Sequence, residues 1–201
     1  MKNLIIVFCS LFILSSCTIS SEGGVKRVQT GTQPDLSGSW NVKDVQIVCE
    51  SLIHDCLSSA RVNQEILSRS SKPSVVVGRF KNESREHIDT DIISSVMENV
   101  IFNSGKLDFV AGGDTRDEVR RERQEQQGYA SEHTAASYGR EIGADFLLTG
   151  AVRMIVDREG DRSIRTYFVT AELTDIETNA RIWLGQNNEI TKIIVRPRNR
   201  L

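Results

Sequence analysis

The fold of this chain is decided in GADFLLTGAVRMIVDREGDRSIRTYFVTAELTD, residues 143–175. Two runs of strand-forming residues flank the polar turn REGD. In the second run Tyr167, Val169, Ala171 and Leu173 fall at every second position. A period of two places them on one face of a strand. A second polar turn, DIETN, leads to ARIWLGQNNEI, where Ile182 and Leu184 flank Trp183. Polar turns between alternating runs predict an antiparallel meander over strands at 145–157, 163–175 and from about 180.

Upstream the period changes from two to about 3.6. Val45, Val48, Leu52, Ile53, Cys56 and Leu57 recur at helical spacing and predict a helix over about 43–59. Lys72-Pro73 breaks the chain, and SVVVGRF at 74–80 reads as a central strand. Asp89 can cap a helix whose buried stripe is Ile92, Ile93, Val96, Met97, Val100 and Ile101. Gly105 suits the left-handed position that ends it. KLDFVAG at 106–112 predicts a short strand.

Between Asp114 and Gln127 the sole large apolar residue is Val119, while Arg and Glu alternate. That pattern predicts a solvated helix held by i, i+4 pairs, with a charged docking helix as the alternative. A shorter helix is expected from Ser131 to Gly143, with Ala135, Tyr138 and Ile142 facing inward. The order α, β, α, β, α, α, β, β, β predicts an α+β fold. It is a two-layer sandwich with a mixed, partly antiparallel sheet, a C-terminal β-meander, and helices packed on the sheet.

The ends of the chain have a different character. Leu4–Leu14 is apolar except for Ser10, follows one positive charge, and stops at Leu14-Ser15-Ser16-Cys17. Eleven residues match the apolar region of a signal peptide and are too short for a permanent span. The run resembles the lipobox of bacterial lipoproteins. That resemblance implies cleavage of 1–16 and acyl chains on Cys17, and two or more chains anchor stably. Thr18, rather than Asp, follows the cysteine, so an outer-membrane anchor facing the periplasm is expected. Residues 17–38 are rich in Ser, Gly, Thr and Gln and read as a flexible tether. Residues 39–195 then form a single globular domain, and 196–201 a basic tail with Arg196, Arg198 and Arg200. Lys192 lies in the same KIIVRPRNRL stretch, which is expected in solvent, with contact to anionic lipid or polymer as the alternative. Trp40 is expected to pack the tether's end onto the domain, with a partner anchor as the alternative.

Composition excludes some functions. Without residues 1–16 the chain carries 24 basic and 27 acidic residues, net −3, which leaves no basic footprint for nucleic acid. Cys49 and Cys56 are seven residues apart. On one helix that is roughly 10 Å, beyond the 7 Å or so that a disulfide bridges. Either both are buried thiols, which the spacing favours, or the helix breaks.

No nucleophile elbow, HExxH, Walker loop or GxGxxG opening a helix occurs. His54, His87 and His133 are isolated. Glu86, His87, Asp89 and Asp91 cluster in SREHIDTD, where a metal site is drawn less readily than helix capping. The residues point to a tethered binding domain with no catalytic, cofactor or metal site.

The assembled motifs resemble the LpoB family of outer-membrane lipoproteins. KPSVVVGRFKNES is similar to the strand and turn that open that family's folded domain. IGADFLLTGAV resembles its helix-to-strand step, and VTAELTDIETNARIWLGQNNEI its closing hairpin. DLSGSWN looks like a stretch just ahead of the domain in some relatives. The likeness covers roughly 72–190. The closing hairpin alone recurs in the TolB amino-terminal domain and in the CsgG curli-export lipoprotein. The resemblance implies a monomeric domain that does no chemistry. It implies that the domain binds a bifunctional class A penicillin-binding protein and stimulates peptidoglycan synthesis. An export or envelope-assembly component is the alternative, and an envelope hydrolase or sugar-binding enzyme a third. This chain departs from the family's long proline-rich tether: about 20 residues with one proline precede the domain.

Overall fold

The computed structural model describes residues 35–131, 133–136 and 141–196. The first helix, α1, is Val42–Ser58. Asn41 caps it by accepting from the Lys43 and Asp44 amides, and the Asp44 carboxylate accepts in turn from the Asn41 backbone amide. This capping box satisfies donors that the first helical turn leaves open. The predicted stripe is buried in full, with Cys49 added to it. A second helix, α2, Ala60–Ser68, follows and was not expected from the sequence. It buries Val62 alone, so its apolar signal is faint.

Strand β1 is Ser74–Asn82. Helix α3, Thr90–Ser104, is capped by Asp89 through the Asp91 amide and closed by Gly105 at φ 66°. Ile93, Met97 and Ile101 are buried and Val96 and Val100 pack beside them, while Ile92 is exposed. Strand β2, Asp108–Phe109, is two residues rather than seven, because it pairs with the first two residues of β1 alone. Helix α4, Gly113–Tyr129, buries no side chain, as its charge pattern predicts. Arg120 pairs with Asp117 at i, i+3, and Gln126 bonds Glu122 at i, i+4.

The expected helix from Ser131 is a correction. Residues 133–135 form a turn and bend, and 141–144 are non-helical. Ile142 is 75% exposed rather than inward-facing, and Tyr138 lies outside the described residues. Among the described residues of this stretch, Ala135 and Ile142 give too little stripe to hold 133–136 and 141–144 in a helix against the core.

The last four strands are β3, Phe146–Glu159; β4, Arg162–Asp175; β5, Arg181–Asn187; and β6, Thr191–Val195. The sheet order is β2-β1-β3-β4-β5, with β6 also on β4. β2, β1 and β3 run parallel; β3, β4 and β5 are antiparallel. β4 is long enough to pair with β5 along 169–174 and with β6 along 162–166. The α+β class, the mixed sheet and the meander are as predicted. Helix α1 packs on β5 and β4, and helix α3 packs on β1 and against α1; with the β4 face that carries Tyr167, Val169, Ala171 and Leu173 they form the core. The opposite, outer face carries the exposed Arg153, Ile155, Ile164, Leu184 and Ile193.

β6 corrects the reading of Lys192 as solvated. Its side chain is 8% exposed, with Nζ 2.6 Å from Asp44 Oδ2 and 3.1 Å from Asp35 Oδ1. Five residues of alternation ahead of a basic tail are a short signal, and the pairing with β4 overrides it.

Candidate functional site

A polar junction fixes the place where the N-terminal segment enters the domain. Glu86, in the loop between β1 and α3, reaches β4. Its Oε1 lies 2.5 Å from Arg165 Nη1, and its Oε2 accepts from the Tyr167 hydroxyl at 2.7 Å. The same Oε2 accepts the Trp40 amide at 3.2 Å. Arg165 goes on to donate to the Gly38 carbonyl and the Ser39 hydroxyl. Lys192 donates to the Ser39 carbonyl. The Trp40 ring packs on Tyr167 at 5.1 Å between centroids, so Trp40 is seated on the core. Gly38, at φ 51°, lies so close to Ile194 that a Cβ there would overlap it. Burial and the Glu86 carboxylate push the Tyr167 hydroxyl up, which keeps it a donor.

These charges on a core-facing strand position carry the junction. Arg165 shares the face of Tyr167 and Val169, a charge where the period calls for an apolar residue. Glu86 reads in sequence as part of a capping or metal cluster. The structure separates that cluster: Asp89 caps α3, His87 is exposed, and Glu86 serves the junction. Among the described residues no group of three or more His, Cys, Asp or Glu is placed to hold a metal. His54 and His133 are exposed and far apart in the fold's order.

Cys49 and Cys56 are free and buried. Burial raises each thiol to about 12, so neither supplies a thiolate near neutral pH. Cys17 lies outside the described residues. Among the described residues no helix is long and apolar enough to cross a membrane.

The outer face of the sheet carries a group of exposed apolar residues. Toward the tip of the β3–β4 hairpin, Ile164 is paired with Ile193 across strands. Ile155 is the diagonal neighbour of Ile164, and Val195 follows Ile193 two residues on. Together they are 62% (Ile155), 39% (Ile164), 69% (Ile193) and 55% (Val195) exposed. Four exposed aliphatic residues on neighbouring register positions of three strands form an apolar patch of the sort that marks interaction sites. The signal was legible only in part, because β6 supplies half of it.

A family model described as peptidoglycan-synthase activator LpoB matches residues 44–189. The LpoB C-terminal domain from Escherichia coli is similar at 14% identity and a TM-score of 0.46, covering 71% of this chain and 96% of that one. The same domain from Salmonella enterica matches at 14% identity and a TM-score of 0.43, covering 72% and 96%. The NMR structure of E. coli LpoB matches at 12% identity and a TM-score of 0.42, covering 90% and 87%. No curated protein matches the chain.

Proposed function

The chain belongs to the LpoB family of peptidoglycan-synthase activators, and from that premise we propose that it binds a bifunctional class A penicillin-binding protein and stimulates its glycan polymerisation and peptide cross-linking. The observation that carries this reading is the family match across 44–189, which spans the folded domain from α1 to the end of the meander. The activator does no chemistry itself. It raises the rate by preferring the active state of the synthase, a coupling of about 1–3 kcal/mol in most allosteric pairs.

The apolar patch at Ile155, Ile164, Ile193 and Val195 is the surface we assign to the synthase. A partner that covers it removes aliphatic area from water, and the neighbouring charges set register rather than affinity. Ile164→Glu combined with Ile193→Glu is expected to abolish capture of the purified synthase, since each buries an unpaired carboxylate in the contact. Both side chains are exposed enough for the domain to keep its fold. Undiminished capture by the double variant counts against this surface.

Anchoring follows the same reading: a lipid on Cys17 in the outer membrane, with the domain facing the periplasm as a monomer. The junction pins residues 38–40, and Asp35 also bonds Lys192, which leaves residues 17–34 between the anchor and the first contact with the domain in this reading. Those 18 residues reach at most about 60 Å. The synthase must therefore extend toward the outer membrane to be met. Cys17→Ala is expected to eliminate incorporation of labelled palmitate in cells; persistent labelling contradicts the anchor.

A further inference from the structure

We infer that the outer face of β1, β3 and β4 holds a second binding site, a groove for an anionic, carboxylate-bearing glycopeptide strand. The ligand class rests on the reading of the chain as a synthase activator; the groove and its charge do not. The groove encloses about 320 Å³, the low end of ligand clefts. Its floor is made of small residues: Thr149, Gly150 and Ala151 on β3 and Thr170 on β4.

A bulge builds one rim. Val75 and Val77 face the core, and strict alternation would send Arg79 inward as well. The register between β1 and β3 shifts between Val77 and Phe80, so Phe80 takes the core position. Arg79, Lys81 and Glu83 then lie exposed along the groove. Bulges re-aim side chains in this way beside functional sites.

The charges do not cancel. Glu83 is taken by Arg153 at 2.7 Å, and Glu172 by Arg181 at 2.8 Å. Among the described residues, Arg79 and Lys81 have no carboxylate within ion-pair distance. A guanidinium and an ammonium beside one cleft hold a carboxylate through charge-assisted bonds. Opposite them Leu184 is 58% exposed and offers an apolar wall to the carbon face of a sugar ring. The Thr149 and Thr170 hydroxyls supply neutral polar contacts between the two; Thr170 makes only a long bond, 3.4 Å, to the Ala151 carbonyl. A cleft with excess positive charge, hydroxyls and one apolar wall matches a sugar polymer substituted with acidic peptides, the product a peptidoglycan synthase makes.

The test is sedimentation of the purified protein with purified peptidoglycan sacculi, with no synthase present. The protein is expected to pellet with sacculi at low salt and to be released as salt screens the contacts. Arg79→Glu with Lys81→Glu is expected to weaken binding on the order of tenfold or more. Both positions are exposed, and an unchanged circular dichroism spectrum verifies the fold. Failure of the native protein to pellet, or unchanged binding by the charge-reversed variant, overturns the inference. So does equal binding to polyglutamate, which would reduce the site to a bare cation pair. Because the assay contains no synthase, its failure leaves the activator reading standing. Loss of synthase stimulation by native protein that still pellets would instead remove that reading alone.

Discussion

Glu86→Ala is expected to lower the stability of the domain by about 3 kcal/mol, the lower end of the cost of removing one partner from a buried ion pair. The Glu86 side chain is 14% exposed and that of Arg165 18%. Removal strands three donors at once: the Arg165 guanidinium, the Tyr167 hydroxyl and the Trp40 amide. Arg165 keeps the Gly38 carbonyl and the Ser39 hydroxyl, which holds the loss below the upper end of the range. Glu86→Gln keeps an acceptor for Tyr167 and is expected to cost less. Urea unfolding measures both: the midpoint drops while the slope stays constant. A loss under about 1 kcal/mol, the net value of one ordinary hydrogen bond, would mean that the junction lies outside the cooperative unit.

Gly150→Ala is expected to be as severe, about 3 kcal/mol, at the top of the usual range for overpacking. Gly150 sits in the middle of β3, opposite Ala171 on β4 and Phe80 on β1. A Cβ there would lie inside van der Waals contact with the Thr170 carbonyl oxygen and the Phe80 ring. Phe80 is 3% exposed, so its ring has little room to withdraw. The carbonyl is main chain and no rotamer change relieves it. Phe80→Leu in the same chain is therefore expected to restore only part of the loss. In a domain of this size each kcal/mol lowers Tm by about 2–4 °C, so the single variant should melt roughly 6–12 °C earlier. A change under 2 °C, less than one kcal/mol on that scale, would show that the strand shifts to make room.

Long periodic segments were legible in sequence and short ones were not. Tyr167, Val169, Ala171 and Leu173 announced β4, and Val45 to Leu57 announced α1, because each repeats its period several times over. Helix α2 buries one residue, and β6 is five residues long beside a basic tail. Neither repeats often enough to stand out. At 131–143 Ala135 and Ile142 suggested a stripe, yet Ile142 is exposed and no core surface receives it. The junction was half visible: Trp40 was placed on the core, but its partners Glu86 and Arg165 are 79 residues apart in the chain. Pairings of that range leave no local pattern. The bulge between Val77 and Phe80 was hidden for the same reason, since a register shift exists only between two strands.

The central claim is tested most directly by the rate of glycan polymerisation by a purified class A penicillin-binding protein, with and without saturating amounts of this protein. The account predicts a rise of roughly fivefold or more, the lower limit of a typical allosteric coupling. It also predicts that Ile164→Glu with Ile193→Glu removes that rise. An unchanged rate at saturation, with the protein folded and the synthase active, would contradict the account.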